Sequence, residues 1–200
     1  MPRTLLRSLF LLLVLVSGGM SAAKDGNSEA AEEPRPSIAE LTVDRVDGQY
    51  VASFRLDSAF DAEILGRIAS GLETVFDYRL EVIHRRKFWI DERTVQRRVL
   101  VSTRYDSLSR QYSLILKVDG EVEKSSTTDK PEEMRRWMTE IQEVVLGPVS
   151  GITPPEEYTV RAKSDLQPRF VLLFIPWDRD TAWTRVPLLS GSPDAHGSGE

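Results

Sequence analysis

The chain has 200 residues, 26 Lys and Arg against 31 Asp and Glu, a formal net charge of −5, and no cysteine. The missing cysteine excludes disulfides, thiolate chemistry, cysteine-ligated zinc and acylation at a lipobox cysteine. The acidic balance makes the chain a poor general binder of nucleic acid or anionic lipid, although a local basic patch can still act.

Arg3 and Arg7 precede the apolar run Leu9 to Val16, and small residues end the segment at Ser21-Ala22-Ala23. This order of basic, apolar and small residues is that of a secretory signal peptide, residues 1–23, cut before Lys24. The same run would serve as an N-terminal membrane anchor if it stayed uncleaved. Its apolar stretch falls short of the about 20 residues that span a bilayer. Removing Arg3 and Arg7 takes the formal charge from −5 to −7. Residues 24–36, acidic and carrying Pro34 and Pro36, read as a disordered linker, and residues 190–200, rich in Gly, Ser and Pro, as a disordered tail. Residues 37–189 are then one β-rich domain. The next apolar run, Phe170 to Ile175, stops at Pro176, far short of the ~18 residues of a membrane span.

Within that domain Leu41 and Val43 alternate with polar neighbours, Asp47-Gly48 turns the chain, and Tyr50, Ala52, Phe54 and Leu56 alternate again, which predicts a hairpin. A helix follows, capped by Asp57 or Ser58, with Phe60, Ile64, Leu65, Ile68 and Leu72 on one face and Gly71 near its end. Three strands in meander order come next, marked by Tyr78 to His84, Val95 to Val101 and Tyr112 to Val118. Asp119-Gly120 turns into a polar strand, Glu121 to Ser126, whose composition suits a sheet edge. Then Asp129 or Lys130, Pro131, Glu132 and Glu133 open a second helix, whose stripe of Met134, Trp137, Met138, Ile141, Val144 and Val145 runs to a stop at Gly147-Pro148. Strands at Tyr158 to Ala162 and Phe170 to Ile175 complete the set. The expected fold is α+β, mainly antiparallel sheet with two amphipathic helices, open to a sandwich-like variant.

Three stretches carry a resemblance. They are the segment from Gly71 to Arg86-Lys87-Phe88-Trp89-Ile90-Asp91, the turn Arg104-Tyr105-Asp106-Ser107-Leu108-Ser109-Arg110-Gln111-Tyr112, and the late Trp177 and Trp183. In these the chain resembles the bacterial envelope family Domain of Unknown Function 4390 (DUF4390). It departs at Gln167-Pro168, where a Leu-Pro pair is associated with the family. The resemblance implies an exported domain of mixed α and β structure with no catalytic residue to transfer. The family's association with sensor-kinase genes implies a role beside envelope sensing.

The side-chain inventory offers no convergent catalytic set. Of two histidines, His196 lies in the tail, and His84 continues the strand register of Tyr78, Leu80 and Val82, so it reads as a half-covered strand-end residue or a pH-responsive contact. No G-x-S-x-G elbow, phosphate-cradling glycine loop or Walker lysine occurs. Asp91, Glu92 and Asp106 would serve a carboxylate hydrolase, which needs two carboxyls about 5 to 9 Å apart, but all three fall in predicted turns. No cofactor and no metal are expected.

The binding candidate is the strand-turn-strand from His84 to Arg98. Arg85, Arg86, Lys87, Arg93, Arg97 and Arg98 surround Phe88 and Trp89, joining guanidinium forks to an aromatic anchor. Of these, Arg85, Lys87, Trp89, Arg93, Arg97 and Arg98 are the site residues. Alternation puts Arg85 and Lys87 on one face and His84 and Arg86 on the other, so one patch needs a bulge or a strand end. The plainer alternative is a solvated tip whose arginines pair with Asp91 and Glu92. The expected function is an exported, periplasmic, non-enzymatic interaction module meeting an envelope protein or an anionic envelope component, without nucleic acid. The alternatives are a small-molecule or lipid carrier and a carboxylate hydrolase. Mass spectrometry of the exported protein should give Lys24 as its N-terminal residue; a chain retaining Met1 would establish the uncleaved anchor.

Overall fold

Asp-Gly pairs set two of the hairpins. In the computed structural model, which describes residues 35–86, 90–166 and 180–188, β1 (Ser37–Val46) and β2 (Gln49–Asp57) pair antiparallel across Asp47 and Gly48. Both turn residues have positive φ, 49° and 75°, the backbone of the tight hairpin turn that matches strand twist. Glu40 also has positive φ, at 52°, where the register shifts between Ala39 and Thr42. This bulge lets Ile38, Leu41 and Val43 all bury on one face despite their uneven spacing.

Helix α1 (Ala62–Ala69) is capped by Asp61, whose Oδ1 accepts the Ile64 amide at 2.8 Å. The cap expected at Asp57 or Ser58 is therefore displaced. Asp57 still belongs to β2, where it accepts from Arg55 at 2.8 Å, and Ser58 turns the chain at φ 55°. Ile64 and Ile68 bury, whereas Leu72, beyond the helix, is 54% exposed. Gly71 sits at φ 78° with the Tyr105 carbonyl oxygen 3.1 Å from where a Cβ would stand, so glycine answers both the turn and the close approach.

The meander follows as expected: β3 (Thr74–His84), β4 (Glu92–Asp106), β5 (Gln111–Val118) and β6 (Glu121–Thr128), the last turned by Asp119 and Gly120 at φ 50° and 95°. Polar β6 is an edge strand. Helix α2 (Pro131–Thr139) begins at the predicted place, but it ends at Thr139, and β7 (Glu140–Pro148) takes over. The single helix expected to run to Gly147 is thus a helix and a strand. The misreading has a physical cause. A bulge at Glu143, φ 57°, where the Glu143 amide donates to Ser53 Oγ at 3.0 Å, separates buried Ile141 and Val144 by three positions, a spacing that imitates a helix. β-branched Val144 and Val145 favour the strand, and pairing with β2 decides it. Val145, assigned to the apolar stripe, is 46% exposed.

β8 (Tyr158–Asp165) pairs with β3, and β9 (Thr184–Pro187), which sequence reading did not anticipate, pairs with β8. The orders are β1-β2-β7 in a three-stranded sheet and β6-β5-β4-β3-β8-β9 in a six-stranded one. The fold is α+β with open, mainly antiparallel sheets. The expected strand at Phe170 to Ile175, Trp177, and the segments 1–34 and 189–200 lie outside the described residues. Among the described residues no helix is long and apolar enough to cross a membrane.

The core joins the two sheets. Phe54, Tyr50 and Leu56 of the smaller sheet share one buried cluster with Tyr78, Leu80, Val82, Val99 and Val101 of the larger, and with Met134 and Met138 of α2. Tyr78 packs edge-on against Phe54, ring centroids 5.1 Å apart, and its hydroxyl donates to the Met138 carbonyl at 2.6 Å. Burial pushes the Tyr78 phenol well up from its ordinary range. Tyr78→Phe should cost about 1 to 3 kcal/mol in urea unfolding, because it strands a buried carbonyl. Met138→Ala, which opens a cavity, should cost about 2 to 5 kcal/mol.

Candidate functional site

Period-two geometry sorts the larger sheet into two faces. Cross-strand partners share a face and successive residues alternate. Leu80, Val82, Val99, Val101, Leu114, Val160 and Ala162 point into the core. The opposite, outer face then carries Asp77, Arg79 and Glu81 of β3, Arg93, Arg98 and Arg104 of β4, Lys117 of β5, Arg161, Lys163 and Asp165 of β8, and Arg185 of β9. Asp180 bridges to Asp165, and Asp106 ends β4 beside Arg104. Among the described residues eight cations therefore stand against five carboxylates on this face, while the whole chain is acidic.

Three of these carboxylates, Asp77, Glu81 and Asp180, hold cations. Asp77 takes Arg98 on both oxygens, with Nε at 3.1 Å from each and Nη2 at 2.7 Å from Oδ2. That pair holds the Arg98 guanidinium above its ordinary pKa, through the hydrogen bonds first and the charge second. Glu81, with a side chain only 5% exposed, accepts Arg161 on Oε2 at 2.8 and 2.5 Å and Arg93 on Oε1 at 3.1 Å. Lys163 reaches Asp180 at 2.8 Å. Trp183 lies against the same strand, with the Arg161 guanidinium 4.3 Å and the Lys163 amine 5.5 Å from its ring centre. Such contacts hold an indole flat beside a cationic surface.

The residues expected to form a hairpin-tip site are thus dispersed. Arg93 and Arg98 join the outer face. Arg97 shares the inner side with its partner Leu80, and it reaches across to the smaller sheet, donating to the Val145 carbonyl at 2.9 Å and pairing with Asp119 at 3.0 Å. Arg85 is exposed beyond the end of β3, its amide held by the Glu157 carbonyl at 2.8 Å. Lys87 and Trp89 lie outside the described residues. Arg86 pairs with Glu92, as the solvated-tip alternative supposed. A bulge does occur in this hairpin, between Val82 and Ile83. Sequence reading missed Arg79, Arg161 and Lys163; their signal was an Asp77, Arg79, Glu81 alternation and an Arg161, Lys163 pair two apart, visible only once the strands are in register.

His84 is half-buried, stacked on Tyr158 at 4.5 Å, with Nε2 2.9 Å from Glu157 Oε2. Asp106 accepts the Leu108 and Ser109 amides at 2.8 and 3.4 Å, and these bonds hold its carboxyl below the usual range. Glu92 and Asp106 terminate the same 15-residue strand. At about 3.4 Å per residue they are about 45 Å apart, far beyond the separation of a hydrolase's carboxyl pair. Among the described residues no group of three or more His, Asp or Glu would hold a metal ion. A groove of about 430 Å³ between β5, β6 and β7 is lined by apolar Leu116, Val118 and Val144 and by charged Arg97, Glu121, Lys124 and Glu143.

Glu81→Gln should destabilise the protein by about 1.5 to 3 kcal/mol in urea unfolding, since one buried acceptor serves two guanidiniums. A change within error would place those arginines as ordinary solvated surface.

Neither a curated protein nor a solved structure matches the sequence. One family model, described as Domain of unknown function (DUF4390), matches residues 33–186. That span begins ahead of β1 and ends within β9, so it takes in the elements that build both faces of the larger sheet. The expected resemblance is thereby established, and the protein belongs to the DUF4390 family.

Proposed function

We propose that this protein is an exported, periplasmic, non-enzymatic interaction module, accessory to envelope sensing or assembly, that meets an anionic envelope partner on the outer face of its larger sheet. One observation carries this reading: in an acidic chain, the described residues gather eight cations against five carboxylates on a single face. Long-range repulsion from the rest of the chain would keep unspecific polyanions away, while the local field at the face selects a partner that docks there. Arginine dominates the face, and its planar fork suits carboxylate and phosphate groups. The secretory signal supports the periplasmic address.

The carrier alternative needs an enclosed apolar pocket, and the groove beside β7 mixes its apolar residues with charges of both signs. The hydrolase alternative loses the pairing of Glu92 with Asp106 to the length of β4.

A photo-crosslinking residue placed at Ser113 or Thr159, both on the outer face, should capture the same envelope species in living cells, and Arg98→Ala should reduce the yield. The same probe at Val145, on the smaller sheet, should capture nothing in common with them. Capture at Val145 alone, or at no position, would overturn the reading.

A further inference from the structure

Across the middle of the outer face, three cations stand in one row. Arg98 of β4 and Lys163 of β8 are the direct cross-strand partners of Arg79 on either side. Like charges so placed repel one another and weaken a sheet. Two of the three have local relief, Arg98 from Asp77 and Lys163 from Asp180. Arg79 has none. Its neighbours along β3 are Asp77, committed to Arg98, and Glu81, committed to Arg161 and Arg93. Arg79 is half-buried, and its side chain makes no hydrogen bond, ion pair or ring contact among the described residues. A guanidinium with five donors, flanked by two further cations and without an acceptor among the described residues, is a site prepared for an oxyanion.

We infer that the Arg98, Arg79 and Lys163 row binds the acidic groups of an extended anionic polysaccharide, with Trp183 as the surface against which a sugar ring lies. The inference rests on the reading of this face as a docking surface and names its occupant. The strands that carry the row lie about 4.8 Å apart, so an extended polymer laid across them passes the three positions in turn. Trp183 stands beside the Lys163 end of the row, anchored by Arg161 and Lys163. An indole with a polar surround suits the mixed apolar and hydroxylated faces of a sugar. A flat anionic bilayer is a poorer match, because it would face the repulsion of the whole acidic chain rather than a local row.

Calorimetric titration of the exported full chain with polygalacturonate, with a neutral glucan and with phosphatidylglycerol vesicles tests this. Polygalacturonate should bind and the glucan should not. Affinity should fall as salt rises from about 0.01 M to about 0.15 M, where the Debye length shortens from about 30 Å to about 8 Å. Arg79→Gln should weaken binding about tenfold or more without lowering the unfolding midpoint, since it removes a repelled charge whose side chain holds no partner among the described residues. Trp183→Ala should weaken binding while leaving the salt dependence in place. Binding of the vesicles in place of the polymer, or polymer binding indifferent to Arg79→Gln, would overturn the inference. If the polymer fails while probes at Ser113 and Thr159 still capture a protein, the docking face stands and the polysaccharide is excluded.

Discussion

Strand β3 is paired along both edges, with β4 on one side and β8 on the other, and its strict alternation organises the larger sheet. Tyr78, Leu80 and Val82 must face one way, and Asp77, Arg79 and Glu81 must face the other. Burying the first set against Phe54 and Met138 therefore commits the second set to the outer surface. The apolar core and the charged face are two sides of one constraint. A one-residue slip in register would bring Arg79 and Glu81 into the core, so hydrophobic burial also holds every charge on the outer face in place.

On that face the ion pairs differ in what they do. Glu81 and Asp77 are nearly buried by the long side chains around them, so their partners are held in defined geometry. Arg98 and Arg93 are more than half exposed, which limits what each pair adds to stability. Their structural effect is orientation: carboxylates set in the sheet keep flexible guanidiniums in fixed places. Arg161 links two such roles, since it accepts its position from Glu81 and in turn packs on Trp183. Arg79 stands apart, surrounded by an ordered network and, among the described residues, holding no side-chain acceptor of its own.

Bulges do comparable work on the smaller sheet. Glu40 and Glu143 each adopt positive φ where one strand carries an extra residue, and each lets apolar side chains at uneven spacing reach the same core. The second of these separates the helical and extended halves of what reads as one amphipathic segment. It also leaves Val145 outward, with its carbonyl available to Arg97, a polar contact from β4 to the smaller sheet beside the shared core. Joining the sheets in this way drew Arg97 out of the basic cluster in which its neighbours in sequence had placed it.

Much of the fold was legible locally. Both Asp-Gly turns, the meander, the polar edge at β6, the first helix and the Pro131 start of the second are written in short-range chemistry: turn residues that accept positive φ, alternation, and helix-start signals. The Asp61 cap was missed because three neighbouring residues could each supply an oxygen, and the end of β2 decides among them. What only the tertiary structure decided is non-local. Residues 140–148 become a strand because β2 offers them a ladder, and β9 forms because β8 does. Arg79, Arg98 and Lys163 become neighbours because antiparallel pairing joins residues far apart in the chain. A sequence displays the period of each strand, but which strand lies beside which, and therefore which charges meet, is settled when hydrophobic faces choose their partners.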